Sequence, residues 1–118
     1  MNNPEVLIID DHGATRDSIR MLLEFEGYIV RSCENGLAAF TLVKEHCFKV
    51  LLIGYLMPEM NGDDVTKLLR PLCPDALVIG YSNEKKGKAF LTAGADVFIS
   101  KDALAHKLIP LIKSKMMP

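Results

Sequence analysis

Short runs of apolar and β-branched residues recur along this chain, and longer stretches with helical spacing separate them. The short runs are continuous rather than alternating, which is typical of strands that are buried on both sides. The longer stretches repeat apolar residues at intervals of three and four, the spacing that places side chains on one face of a helix. The pattern predicts strands over residues 6–9, 28–32, 49–53, 76–80 and 97–99.

These five predicted strands alternate with five predicted helices. A parallel pair of strands cannot be joined by a tight hairpin, so connections of helical length predict a parallel sheet with helices on both faces. The chain shows no linker, repeat or low-complexity tract, and we expect one α/β domain in three layers over residues 1–118. Gly87, near the start of the fourth helix, predicts that this helix is short because glycine disfavours a helix interior.

Composition mainly excludes classes of protein. The 118 residues are 49% hydrophobic and 25% charged, which fits one globular domain rather than a disordered chain. No apolar stretch approaches the roughly 18 residues of a membrane helix. The first residues lack a basic segment followed by an apolar run, so we expect a cytoplasmic protein with no membrane contact.

Charge is nearly balanced overall but is unevenly distributed. The net charge of -1 supplies no field that would favour nucleic acid, and Lys85, Lys86 and Lys88 form too short a cluster to indicate a DNA-binding element. Residues 84–118 carry a net charge of +4, whereas residues 1–83 carry -5. This basic end is either an ordinary solvated surface or a surface for an acidic protein partner.

The cysteines indicate neither a disulfide framework nor a metal site. They are three in number and never in a C-x-x-C spacing, and the three histidines show no metal-ligand spacing. We therefore expect reduced and largely buried thiols at Cys33, Cys47 and Cys73.

Polar residues follow the predicted strands at their carboxyl ends, where open parallel sheets bind ligands. Asp10 and Asp11 end the first strand, Gly54 the third, Ser82 the fourth and Lys101 the fifth. Paired carboxylates with a backbone carbonyl suit Mg²⁺, and a hydroxyl with an ammonium group could hold phosphoryl oxygens. The alternative is that the two aspartates only cap the following helix and that Lys101 is a solvated rim residue.

Four sequence blocks carry a resemblance to a known family. They are V-L-I-I-D-D at 6–11, L-M-P-E-M-N-G at 56–62, Ser82 after an apolar strand, and F-I-S-K at 98–101. In this order they resemble the receiver domain of two-component response regulators over about residues 5–116. The resemblance implies a single receiver domain with a flavodoxin-like (βα)5 fold and the strand order 2-1-3-4-5. It also implies an activity in which an aspartate accepts a phosphoryl group from a histidine kinase with Mg²⁺.

The resemblance assigns roles to individual residues. Asp10 and Asp11 match the acidic pair that binds metal, with Asp11 the more direct ligand, and Leu56 is placed to offer a backbone carbonyl. Three further residues match the phosphoryl-sensing hydroxyl, the lysine that pairs with the phosphoryl group, and the rotating aromatic of the switch: Ser82, Lys101 and Phe98.

The residue at the family's phosphoacceptor position is Gly54. Glycine has no side chain, so it can neither attack phosphorus nor give a metal its second carboxylate. We therefore expect Mg²⁺ to bind weakly or not at all, and Lys101 to pair permanently with Asp10 and Asp11. Tyr55 does not replace the missing group, because alternation along the strand points it to the other side.

A second departure from the family follows Lys101. The family usually carries a proline with a cis bond there, whereas this chain has Asp102. A cis bond before a residue other than proline costs roughly 3 to 4 kcal/mol, so we expect a trans bond. We also expect Asp102 to be the N-cap of the last helix.

The resemblance and its departures lead to one favoured function and two alternatives. We expect a non-enzymatic receiver domain of a phosphorelay system that is not phosphorylated at Gly54 and acts as a signalling or interaction module. One alternative is a phosphoaccepting receiver whose aspartate has been replaced by Gly54 in this sequence; the other is an enzyme on the same fold. The expected partner is a histidine kinase, another receiver or an output domain, and a homodimer is possible.

Overall fold

Five parallel strands form one sheet at the centre of the computed structural model, which describes residues 5–116. Their order is β2-β1-β3-β4-β5, so the predicted flavodoxin-like topology is confirmed. Each strand lies within two residues of its predicted position. The strands are β1 Glu5–Ile9, β2 Ile29–Cys33, β3 Val50–Gly54, β4 Leu77–Ser82 and β5 Val97–Ser100.

The helices follow the strands in alternation, as a parallel sheet requires. They are α1 Gly13–Phe25, α2 Gly36–Glu45, α3 Gly62–Leu69, α4 Gly87–Ala93 and α5 Leu104–Met116. Helix α4 has seven residues and begins at Gly87, so the predicted short helix is confirmed.

A 3-10 turn over Lys101–Ala103 precedes α5. Asp102 lies inside this turn, and its carboxylate accepts a hydrogen bond of 2.8 Å from the Ser100 hydroxyl. The predicted N-cap role of Asp102 is therefore wrong, because the extra turn moves the start of α5 beyond it. No peptide bond in residues 5–116 is cis, as expected.

The two faces of the sheet carry separate hydrophobic clusters. Along β1, Val6 and Ile8 pack with residues of α1 and α5, whereas Leu7 and Ile9 pack with residues of α2 and α3. Alternation continues this pattern to the end of each strand, so it determines which side a residue at the carboxyl edge faces. Within the described chain, no helix is long and apolar enough to cross a membrane.

Candidate functional site

A cleft of about 270 Å³ lies at the carboxyl edge of the sheet, between the turns that follow β1, β3, β4 and β5. The fold brings six of the seven residues predicted for the site into the lining of this cleft. These six are Asp10, Asp11, Gly54, Leu56, Ser82 and Lys101.

Asp10 is a buried carboxylate of the cleft, with 7% of its surface exposed. Its Oδ1 accepts a hydrogen bond of 2.8 Å from the backbone N–H of His12. Its Oδ2 accepts a hydrogen bond from the hydroxyl of Tyr81. The guanidinium of Arg16 donates to the backbone carbonyl of Asp10 at 2.6 Å. Both carboxylate oxygens are thus engaged by groups of the protein itself.

Tyr81 reaches Asp10 by passing over Gly54. The register of β3 and β4 places Gly54 directly beside Tyr81, and β1 lies on the other side of β3. A Cβ atom on Gly54 would lie 2.8 Å from Oδ2 of Asp10 and 3.3 Å from the Tyr81 hydroxyl. The space that a side chain at residue 54 would need is therefore occupied by the hydrogen-bonded pair of Tyr81 and Asp10.

The environment of Tyr81 keeps its hydroxyl protonated. The residue is buried, with 1% of its surface exposed. Burial raises the pKa of Tyr81 far above its usual value, and the negative charge of Asp10 and its hydrogen bond raise the pKa further. Arg16 opposes this increase only in part. The phenol therefore remains a hydrogen-bond donor to Asp10 at physiological pH.

The other polar residues of the cleft are less constrained. Asp11 and Leu56 are exposed, so the carboxylate of Asp11 faces solvent at the rim. Ser82 is buried, and its hydroxyl oxygen accepts a hydrogen bond of 3.0 Å from the backbone N–H of Glu84. The hydroxyl thus supports the turn that follows β4.

Lys101 lines the cleft but does not pair with either aspartate. None of the ion pairs within 4.0 Å among residues 5–116 includes Lys101. The expected permanent pair between Lys101 and the acidic residues is therefore wrong for this structure. The cation that contacts Asp10 is Arg16, which binds its backbone carbonyl.

Phe98, the seventh predicted residue, lies outside the cleft. Its half-buried ring packs against Phe90, with ring centroids 5.8 Å apart. Tyr55 also packs against Phe90, at 5.9 Å, and the Lys86 ammonium lies 4.7 Å from the Tyr55 ring centroid. The side chain of Tyr55 therefore belongs to the α3–α4 side of the sheet, as alternation predicted.

The donor groups of the cleft do not fit Mg²⁺. The ion needs several oxygen ligands, and usually one or two carboxylates bind it directly. Asp10 already accepts hydrogen bonds on both oxygens, and Gly54 offers no carboxylate. The two exposed carboxylates of the lining are Asp11 and Glu84, and Glu84 lies 3.9 Å from the Lys86 ammonium. No group of three or more His, Cys, Asp or Glu in residues 5–116 could hold a metal ion.

The sequence assigned no role to Tyr81 or Arg16. The signal for Tyr81 was present, because it stands directly before Ser82 at a strand end and is a large residue with one polar atom. The apolar run of the predicted fourth strand covered residues 76–80, and Tyr81 was placed only at its carboxyl end, whereas β4 extends to Ser82. With the strand two residues longer, alternation places Tyr81 on the side that Gly54 faces.

Comparison with known proteins agrees with this architecture. Residues 6–113 match the family described as response regulator receiver domain. The chain is 32% identical over 113 residues to the two-component response regulator ARR22 of Arabidopsis thaliana, covering 91% of this chain and 80% of that protein. It is 31% identical over 114 residues to an uncharacterized 14.6 kDa protein in the sodA1 3′ region of Leptolyngbya boryana, covering 92% and 87%.

A solved structure shows the same fold. The crystal structure of a CheY-like response regulator receiver domain protein from Methanospirillum hungatei JF-1 superposes with a TM-score of 0.88 at 29% sequence identity. The match covers 95% of this chain and 92% of that one.

Proposed function

This chain belongs to the response regulator receiver domain family, and we propose that it is a degenerate receiver that acts as a signalling or protein-interaction module without phosphorylation at Gly54. The observation that supports this proposal is the hydrogen bond between the Tyr81 hydroxyl and Asp10 across Gly54. The neutral hydroxyl of Tyr81, already hydrogen-bonded to Asp10, occupies the position where the family's aspartate would stand.

Neither the two aspartates of the cleft nor Tyr81 is suited to accept a phosphoryl group in place of the missing aspartate. Asp10 is buried and engaged, and the raised pKa of Tyr81 leaves its hydroxyl a poor nucleophile. Asp11 is exposed at the rim rather than beside Gly54. We therefore expect no catalytic activity from this domain, and we expect Mg²⁺ to bind weakly at most.

Tyr81 also separates the degenerate receiver from a phosphoaccepting receiver whose aspartate has merely been replaced by Gly54. A single replacement of that kind would leave a small cavity beside Asp10. In this chain Tyr81 occupies the space, and its hydroxyl lies 3.3 Å from the point where a Cβ on Gly54 would be. Two residues on adjacent strands fit each other here, which favours the degenerate receiver.

The fixed pair of Tyr81 and Asp10 implies a module that stays in one conformation. Receiver switching requires a group whose presence changes the relative stability of two states. Here the hydrogen bond forms without any modification, so binding to a partner is expected to be constitutive.

The partner surface that we propose lies on α4 and α5. Lys88, Lys107 and Lys115 are exposed there, and Leu91, with 51% of its surface exposed, gives α4 an apolar contact point. This combination favours a protein with an acidic surface: a histidine kinase, another receiver or an output domain. Self-association through the same face is an alternative that sedimentation would detect.

The proposal is tested with acetyl phosphate as a small phosphodonor in the presence of Mg²⁺, followed by intact-mass measurement. The unmodified chain should gain no phosphoryl group, which would add about 80 Da. The double variant Gly54→Asp with Tyr81→Leu should gain one, because it supplies the carboxylate and removes the hydroxyl that fills its place.

Two results would contradict the proposal. An acyl phosphate on the unmodified chain would show that the domain is still a phosphoaccepting receiver. Failure of a folded double variant to accept phosphate would show that Tyr81 and Gly54 are not what prevents phosphorylation. Gly54→Asp alone is the matched control, and we expect no uptake from it while Tyr81 still occupies the site.

A further inference from the structure

Two cysteines lie in contact at the amino end of the sheet, opposite the cleft. Cys47 is in the loop between α2 and β3, and Cys73 is in the turn between α3 and β4. Their Sγ atoms are 3.5 Å apart, with the Cys73 thiol donating to the sulfur of Cys47. The expectation of largely buried thiols is correct for Cys73 but wrong for Cys47, which is exposed, and Cys33 is half-buried.

We propose that Cys47 and Cys73 form a redox-modification site, at which a peroxide produces a reversible intramolecular disulfide. The thiolate of Cys47 attacks one oxygen of hydrogen peroxide and breaks the O–O bond, which gives a sulfenic acid and one water after protonation. The sulfur of Cys73 then attacks the sulfenic sulfur, and a second water leaves as the S–S bond forms. Two thiols are thereby oxidised and one peroxide is reduced to two waters.

Burial determines the order of these steps. Cys47 is exposed and can meet peroxide from solvent, whereas Cys73 has 3% of its surface exposed. Burial and the neighbouring Cys47 raise the pKa of Cys73 to about 11, which makes it the poorer initial nucleophile. In the second step, the contact between Cys73 and Cys47 compensates for this poor nucleophilicity, because two groups that are held together react far faster than free ones.

The required movement is small and falls on loops. A disulfide has an S–S distance of about 2.05 Å, so the two sulfurs must approach each other by roughly 1.5 Å. Both residues lie outside the helices and strands. Arg70 holds the turn of Cys73 by donating to its carbonyl at 3.4 Å, so we expect the movement to fall mainly on the exposed loop of Cys47. The Cys47 thiol donates to the Leu72 carbonyl at 3.6 Å. Cys33 is the last residue of β2, at the carboxyl end of the sheet, and its thiol donates to the Asn35 carbonyl at 3.8 Å.

The bond would close a loop that contains all of β3 and α3. A cross-link of this length stabilises the fold mainly by restricting the unfolded chain. We therefore expect the oxidised form to unfold at a temperature higher by roughly 5–15 °C than the reduced form. This site is chemically independent of Tyr81 and Gly54, so its test does not depend on the proposed function.

The experiment uses the full chain, first reduced and desalted, then treated with a small excess of hydrogen peroxide. The expected product is a monomer that is lighter by about 2 Da, has lost two of its three free thiols, and yields one peptide pair linked through Cys47 and Cys73. Dithiothreitol should restore the original mass and all three thiols.

Two variants control the assignment. Cys33→Ser should form the same disulfide, whereas Cys47→Ser should form none. Because Cys47 is exposed, we expect its replacement to leave the fold intact, so loss of folding would not explain a missing disulfide. The proposal is wrong if the unmodified chain forms only intermolecular disulfides, if the linked peptides include Cys33, or if peroxide gives only sulfinic and sulfonic acids with no cross-link.

Discussion

The two ends of the sheet hold their reactive groups in different ways. At the carboxyl end, Asp10 and Tyr81 are both buried, and each provides the hydrogen bond that the other requires. At the amino end, Cys47 and Cys73 are in contact, but Cys47 is exposed and both lie in loops. The first pair is fixed in one state, and the second is one small movement from a different covalent state.

The difference follows from where the backbone is anchored. Asp10 and Tyr81 lie at the ends of paired strands, so neither can move without disturbing the sheet. The loops at the amino end are supported instead by Arg70. Its guanidinium donates to the carbonyls of Gly94 and Ala76, each at 2.9 Å, and to the Asp96 carboxylate at 2.7 Å. The carboxyl edge therefore holds Asp10 and Tyr81 through the sheet itself, whereas the amino edge holds its loops through the side chain of one arginine.

The largest effect is expected from Gly54→Asp, which places a second carboxylate beside Asp10. Its Cβ would lie 2.8 Å from Oδ2 of Asp10, and the two negative charges would repel each other in a buried site. We expect the free energy of unfolding, measured with urea at neutral pH, to fall by about 3–4 kcal/mol.

The control for this prediction is Gly13→Asp at the start of α1. A Cβ there would meet only Arg16, at 3.6 Å, and an acidic residue in the first turn of a helix is favourable. We expect its stability to lie within about 0.5 kcal/mol of the original. Equal stability of the two variants would show that the carboxyl end is not fixed as described.

The amino end is tested by Arg70→Ala, which removes the bonds to Gly94, Ala76 and Asp96 together. We expect a loss of about 3 kcal/mol in urea unfolding, because the carbonyls lose charged donors and are not all reached by water. Arg70→Lys should recover less than half of this loss, since a lysine lacks the planar fork. Arg70 is the C-cap of α3, and Lys67 lies at an exposed position of that helix. Lys67→Ala should change little, and a similar loss there would contradict the role of Arg70.

Tyr81→Phe tests the hydrogen-bonded pair of Asp10 and Tyr81 without adding a charge. It leaves Oδ2 of Asp10 buried without its donor, so we expect a loss of about 2 kcal/mol in urea unfolding. Tyr28→Phe is the control, because Tyr28 is buried to a similar degree but its hydroxyl has no hydrogen-bond partner among residues 5–116. If both variants lose the same stability, the hydrogen bond to Asp10 contributes nothing specific.

The same hydroxyl predicts a dependence on alkaline pH. The pKa of Tyr81 is raised in the folded protein, so the unfolded chain loses this proton first, at a pH near 10. The stability from Tyr81 is therefore complete below about pH 10 and declines as pH rises above it, by up to about 1.4 kcal/mol per pH unit. Tyr81→Phe should show a shallower decline, and parallel curves for the two proteins would rule out the protonated phenol.

The smallest effect is expected from Lys101→Ala. Lys101 makes no ion pair with the described carboxylates, so its removal should change stability by less than about 0.5 kcal/mol. A loss above about 1 kcal/mol that high salt reduces would instead support a permanent ion pair of Lys101 with Asp10 and Asp11.

The hydrophobic pattern of the sequence determined that the sheet is parallel, and the resemblance to the receiver family supplied its strand order. Continuous apolar runs such as residues 50–53 are stable only when helices cover both sides, so the alternation of runs and helical stretches required a parallel sheet. Because the carboxyl ends of parallel strands share one edge, the sequence placed Asp10, Gly54 and Ser82 at that edge. The strand order implied by the resemblance placed them on neighbouring strands, as the structure has them.

Only the tertiary structure decided how these side chains are engaged. The bond between Asp10 and Tyr81 joins residues 71 positions apart and depends on the register of three strands and on the full length of β4. Lys101 has a long, half-exposed side chain. An ion pair with a carboxylate and full solvation of its ammonium group differ little in free energy, so only the tertiary structure decides between them. Contacts of this kind arise where distant segments meet, and no local pattern of residues encodes the distances between them.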